Sequence, residues 1–203
     1  MDCYIIGAGD FFGFKKRPCG DDFVIAADGG YAVCQSEGIV PDLILGDFDS
    51  LGWVPVEGNV LRVPVEKDDT DMMLAVKEGL KHGCNCFHIY GGTGGRLDHT
   101  IANLQTLLYI KTHGANGFLY DNKCCFTVLR NEKRTFTARD SGVFSVFALQ
   151  GEAKGVTVSG GQYETSNLTL KEYVPVGVSN CFMGKPVTIE VLDGILLCSV
   201  PVD

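Results

Sequence analysis

Apolar residues along the first 120 positions come in short solid runs separated by longer stretches with a helical period. Residues 3–8 (Cys-Tyr-Ile-Ile-Gly-Ala), 23–27 (Phe-Val-Ile-Ala-Ala), 43–45, 60–63 and 86–90 read as buried strands, most of them ending in glycine or aspartate. Between them the spacing predicts a short helix over 30–37 that stops at Gly38. Thr70 is a predicted cap for a helix over 71–82 carrying Met72, Met73, Val76 and Leu80. A further helix over 98–112 carries Ile101, Leu104, Leu107 and Leu108. Strand–helix alternation of this kind predicts an α/β domain with a mostly parallel sheet over residues 1–122. Beyond it the pattern shifts to short β-rich runs at 125–129, 135–137, 143–149, 156–158, 173–178, 187–191 and 195–200, punctuated by Gly, Asn and Ser. Residues 123–203 therefore read as an all-β, sandwich-like second domain. The run at 117–120 suits either side of the boundary.

Composition narrows the function classes. The 203 residues are 45% hydrophobic and 21% charged, the balance of a globular protein, and no apolar run approaches a membrane span. The first residues, Met-Asp-Cys-Tyr-Ile-Ile, read as a strand rather than a secretory leader. A net charge of −8 makes nucleic acid a poor partner and suits bound Mg²⁺ or a cationic small substrate. The nine cysteines form no paired C-x-x-C knuckles, so a zinc site is not expected. Several, including Cys34, Cys86 and Cys198, stand in apolar context as reduced core residues of a cytoplasmic protein.

Three motifs follow predicted strands, where an open α/β sheet places its ligand crevice. In Gly46-Asp47-Phe48-Asp49-Ser50, the two aspartates lie at i and i+2, so extended backbone points both carboxylates at one metal ion. A polar turn would choose the same residue types. In Lys67-Asp68-Asp69-Thr70-Asp71, Asp71 is a candidate metal ligand or general base, while Asp68 and Asp69 suit a helix N-terminus. In Gly91-Gly92-Thr93-Gly94-Gly95-Arg96-Leu97-Asp98-His99, four glycines let backbone N–H groups approach phosphate and Arg96 offers a forked donor. Asp98 and His99 stand ready to hold Arg96, bind a nucleotide sugar or position a metal-bound water. The loop is not a Walker A motif, because no Gly-Lys-Ser/Thr follows. Gly7 and Gly9 read as a strand-end turn beside the same crevice. Asp28, before Gly29-Gly30, is a candidate substrate contact or helix cap.

These motifs, together with Ala27-Asp28-Gly29-Gly30 and Pro41-Asp42-Leu43-Ile44-Leu45, resemble the thiamine pyrophosphokinase family. In the second domain, Gly161-Gln162-Tyr163-Glu164 with Asn167-Leu168-Thr169-Leu170, and Gly177-Val178-Ser179-Asn180, resemble that family's segments in the same order. The resemblance implies ATP-dependent transfer of a pyrophosphoryl group to thiamine, giving thiamine diphosphate and AMP. It implies a homodimer with each active site at the subunit interface, Mg²⁺ on Asp47, Asp49 and Asp71, and catalysis by these residues with Arg96. It implies a nucleotide loop of Gly92, Thr93, Gly94, Gly95, Arg96, Asp98 and His99, and substrate contacts at Asp28, Tyr163, Ser179 and Asn180. Glu164 departs from the pattern, standing where the family carries proline. Two other readings share the carboxylates and the loop: a Mg²⁺-dependent pyrophosphokinase or phosphatase for another acceptor such as a pterin, and a non-catalytic thiamine- or nucleotide-binding module.

Overall fold

The computed structural model describes residues 1–48, 58–64 and 68–202. The chain divides into two compact units, Met1–Asn122 and Lys123–Asp203.

Among the described residues of the first unit six strands, β1 (Asp2–Ile6), β2 (Phe23–Ala27), β3 (Leu43–Gly46), β4 (Val60–Arg62), β5 (Cys86–Tyr90) and β6 (Asn116–Tyr120), pair in parallel in the order β4-β3-β2-β1-β5-β6. Their solid apolar composition reflects cover on both faces, and Cys3 through Ile6 are fully buried. Among the described residues, three helices supply connections: α1 (Gly30–Ser36), α2 (Asp71–Lys81) and α3 (Leu97–Thr112). Thr70 caps α2, its Oγ1 accepting from the Met73 amide at 3.1 Å. From β1 the chain winds outward to β2, β3 and β4 on one side, whereas β5 and β6 lie on the other. The winding therefore switches between β1 and β5, and the crevice belongs beyond the carboxyl ends of these two strands.

Helix α3 corrects the expected face. Ile101 is 52% exposed, and the buried stripe is Asn103, Thr106, Leu107 and Ile110, spaced i, i+3, i+4, i+7. Its two polar members are satisfied: Asn103 by the Gly92 carbonyl and Thr106 by that of Ala102.

The second unit is antiparallel. Its strands are β7 (Cys124–Arg130), β8 (Lys133–Phe136), β9 (Val143–Ser159), β10 (Thr165–Lys171), β11 (Asn180–Cys181), β12 (Val187–Glu190) and β13 (Asp193–Pro201). The runs expected at 143–149 and 156–158 are one long strand, bent where Gln150 and Gly151 take positive φ of 58° and 103°. Before the bend β9 pairs with β13, and β13 with β7. Past it β9 pairs with β10 and β12, and β12 with β8. The run at 173–178 is not a strand. Pro175 brings no N–H, Val176 N turns back to Val174 O at 2.9 Å, and Tyr173 and Val176 are exposed. Its place is taken by β10, whose Thr-Ser-Asn-Leu-Thr-Leu-Lys sequence faces solvent along most of its length and so carries no apolar signal. Among the described residues no helix is long and apolar enough to cross a membrane.

Candidate functional site

The loops after β1 and β5 are zipped together at the switch point. Gly7 N donates to Tyr90 O at 2.8 Å, Gly9 N to Gly91 O at 2.8 Å, and Asp10 N to Thr93 O at 2.9 Å. A Cβ on Gly9 would land on the carbonyl oxygens of Gly91 and Thr93, so only glycine allows this approach. Beyond the loops lies a cavity of about 510 Å³, lined by Asp10, Asp28, Asp71, residues 91–96, His99 and Asn103 among others. Elements from β1, β2, α2, β5 and α3 thus converge on one space.

Most sequence-predicted residues meet here. Asp71 opens α2, and its position in the first turn suits the positive end of that helix. Asp28 follows β2 directly with φ 49° and donates its amide to Leu45 O at 2.7 Å, which ties it to β3. Asp47 follows β3 directly but is not part of the cavity lining, and the next residue, Phe48, is buried at φ 63°, a strained setting for an aromatic residue. Asp49 lies outside the described residues. The loop residues Gly92, Thr93, Gly94 and Gly95 line the cavity with Arg96 and His99. Asp98 is not part of that lining; it pairs with Arg96, Oδ2 accepting from Nη2 at 2.6 Å and Oδ1 from Nε at 3.2 Å. Both side chains are exposed, and the mutual hydrogen bond lowers the Asp98 pKa and raises that of Arg96. The pair holds the guanidinium at the start of α3, a helix whose N-terminus has no side-chain cap.

Three supporting residues, Asn103, Asp121 and Asp10, escaped the sequence reading. Asn103 Nδ2 donates to Gly92 O at 2.7 Å from within the buried stripe of α3. Thr93, 5% exposed, donates its hydroxyl to Asp121 Oδ1 at 2.7 Å. Asp10 adds a third carboxylate to the lining, its side chain against Gly94. Asp10 was legible as the acidic residue closing the Gly7-Ala8-Gly9 turn.

The second unit holds its own pocket of about 170 Å³, walled by Phe144, Val146, Val156, Val158 and Leu170 and edged by Tyr163, Glu164 and Asn180. Asn180 clamps this edge. Its Oδ1 accepts from Tyr163 N at 3.0 Å and Cys181 N at 2.8 Å, and its Nδ2 donates to Tyr163 O at 2.6 Å. Ser179, at φ 63°, donates its amide to Ser145 Oγ at 3.1 Å. The Tyr163 ring stands 63% exposed at the mouth. Glu164 Oε1 accepts from Gly160 N at 2.8 Å and from Lys185 Nζ at 3.3 Å. The Gly160 amide first, and Lys185 second, lower its pKa.

The chain matches two family models, "Thiamin pyrophosphokinase, catalytic domain" over residues 16–119 and "Thiamin pyrophosphokinase, vitamin B1 binding domain" over residues 133–196. It belongs to the thiamin pyrophosphokinase family. A curated relative, the thiamine pyrophosphokinase of Bacillus subtilis (strain 168), is 37% identical over 97 residues, which span 44% of this chain and 45% of that protein. Among solved structures, the B. subtilis thiamine pyrophosphokinase superposes with a TM-score of 0.90 at 22% identity, covering 100% of both chains. The Geobacillus thermodenitrificans thiamin pyrophosphokinase gives 0.85 at 24% identity, covering 100% of this chain and 98% of the other. The Candida albicans thiamin pyrophosphokinase gives 0.77 at 15% identity, covering 100% and 90%. These likenesses show that the two-domain fold of the thiamin pyrophosphokinases is the fold of this chain. The cavity described above lies in the unit that carries the catalytic-domain match, and the smaller pocket in the unit that carries the vitamin B1-binding match.

Proposed function

We propose that this chain transfers the intact pyrophosphoryl group of ATP to the hydroxyethyl oxygen of thiamine, releasing AMP and thiamine diphosphate. The observation that carries the reading is the cavity at the β1–β5 switch point, where three carboxylates face a glycine loop and an arginine. The family membership supplies the donor and the acceptor.

The donor set fits Mg²⁺. Asp10, Asp28 and Asp71 are hard oxygen donors, and no cysteine lines the cavity among the described residues. Asp71, with Asp47 and Asp49 of the Asp-Phe-Asp motif, would hold the ion, which when bound neutralises phosphate charge. The remaining work falls to the chain. Backbone N–H groups of residues 92–95 and the start of α3 cradle the phosphates. Arg96, steadied by Asp98, takes charge that develops on the bridging oxygen as the bond to the β-phosphorus breaks. Asp71 accepts the hydroxyl proton of thiamine. Asn103 and Thr93 fix the loop so that its donors are in place before reaction. In the second unit, the apolar walls and Tyr163 receive the rings of thiamine, on an edge shaped by Asn180 and Ser179.

The enzyme is a cytoplasmic homodimer in this reading. None of the nine cysteines is in a disulfide, which suits a reducing compartment, and Tyr163, Tyr173, Val176 and Val178 are exposed apolar residues on the second unit. Incubation with ATP, MgCl₂ and thiamine, resolved by chromatography, tests the reaction: AMP and thiamine diphosphate appear in equal amounts. ADP with thiamine monophosphate, or free phosphate alone, refutes it.

A further inference from the structure

The far end of the parallel sheet carries a second cluster of ligating side chains. Asp2 opens β1 and pairs in register with Cys86, which opens β5; His88 follows two residues later on the same face. The donor atoms of Asp2, Cys86 and His88 all lie within 4.8 Å of one another. His88 Nε2 is 3.2 Å from Asp2 Oδ2 and 3.6 Å from Cys86 Sγ. In a tetrahedral zinc site the edges are roughly 3.3 Å between nitrogen and oxygen ligands and about 3.5 Å between nitrogen and sulfur. The two edges match that geometry.

The His88 ring is also held as a ligand would be. It is 4% exposed, stacked on Tyr4 at 4.7 Å, and its Nδ1 meets the Tyr120 hydroxyl at 3.0 Å. An oxygen partner on the far ring nitrogen fixes the orientation of metal-binding histidines. The cluster already attracts a cation. Lys16 Nζ sits 2.7 Å from Asp2 Oδ2 and 3.3 Å from His88 Nε2, on a side chain that is 52% exposed and so free to swing into solvent.

We propose that Asp2, Cys86 and His88 form a site for a borderline-soft divalent transition-metal ion of the zinc class, in which the ion displaces the Lys16 ammonium. Binding releases the Cys86 thiol proton, and a water takes the fourth position on the side that Lys16 vacates. A nitrogen, sulfur and oxygen set prefers zinc over magnesium, so this end of the sheet and the oxygen-lined cavity select different ions. The missing C-x-x-C spacing is no obstacle, because the parallel register of β1 and β5 brings together residues more than eighty positions apart.

Cobalt(II) titration of the full chain, free of nucleotide and magnesium, tests the site. One equivalent produces a thiolate-to-cobalt charge-transfer band in the near ultraviolet with tetrahedral visible bands, and zinc bleaches both. Cys86→Ser abolishes the charge-transfer band, whereas Asp71→Asn in the cavity keeps it. Lys16→Met removes the resident competitor and tightens cobalt binding about fivefold. A thiolate band that survives in Cys86→Ser assigns the ion to another cysteine and overturns the proposal. So does the absence of a thiolate band in the parent chain. Unchanged affinity in Lys16→Met, whose substitution lies on an exposed side chain outside the ligand set, overturns the displacement.

Discussion

Asn103→Ala tests how far the glycine loop depends on a buried support. The Asn103 amide donates at 2.7 Å to the Gly92 carbonyl, and both residues are buried. Alanine leaves that carbonyl without its donor, where water reaches it poorly. An orphaned buried acceptor costs about 1–3 kcal/mol. For a chain of this size that lowers the melting temperature by roughly 2–12 °C. The functional cost is larger than the thermal one. Gly92 belongs to the glycine stretch that lines the cavity, and a shift of about 1 Å in such a positioning group costs on the order of 10²-fold in rate. Differential scanning calorimetry of the first-unit transition reads the stability loss, and AMP release at saturating thiamine reads the kinetic one. Asn103→Asp sharpens the test. It keeps the shape but places a carboxylate against a carbonyl oxygen, so at neutral pH it is worse than alanine on both measures. An Asn103→Ala protein with parental melting temperature and parental kcat/KM for ATP refutes the assigned support.

Asp71→Asn removes a charge from the cavity and lowers turnover by ~10²–10³, equivalent to about 3–4 kcal/mol of transition-state stabilisation, while the KM for thiamine holds in steady-state assays. Gly9→Ala drives a methyl group into two carbonyl oxygens. Equilibrium dialysis with ATP shows its binding lost, while calorimetry shows the second unit melting as before. Asn180→Ala releases both backbone bonds to Tyr163. The KM for thiamine rises and that for ATP does not, a split that initial-rate kinetics resolves. Glu164 has its pKa depressed by the Gly160 amide and Lys185, so its contribution is complete above the ordinary glutamate pKa and fades as pH falls through the lower, folded value. An NMR titration of the Gly160 amide shows its midpoint below that of a free glutamate, and Glu164→Gln abolishes the titration.

What the sequence showed depended on how each residue earns its place. The parallel strands were legible because burial on both faces demands solid apolar runs, and Thr70 was legible because capping is local chemistry. Strand β10 was not, since an edge facing solvent needs only backbone pairing. The run at 173–178 misled for the opposite reason, being apolar yet broken by Pro175 and turned toward solvent. In the candidate site, Asp28, Asp71 and the glycine loop were visible as strand-end chemistry. Asn103 and Asp121 were hidden because their partners, Gly92 and Thr93, lie eleven and twenty-eight positions away. The Asp2–Cys86–His88 cluster was hidden more deeply, since only the strand register places its members side by side.

The floor of the large cavity and the walls of the small one are made of different material. At the β1–β5 switch point, Gly7, Gly9 and Gly91 press main chain against main chain, and each would-be methyl group collides with a carbonyl. In the second unit, Phe144, Val146, Val156, Val158 and Leu170 meet the pocket with side chains. Point mutation edits side chains and leaves the main chain as it is. The cavity floor is therefore frozen against genetic drift, whereas the pocket is open to it. A lineage diverging from this chain is free to change which acceptor it takes long before it can change how it grips the donor, and saturation mutagenesis should reveal two landscapes in one molecule, one a cliff and the other a slope.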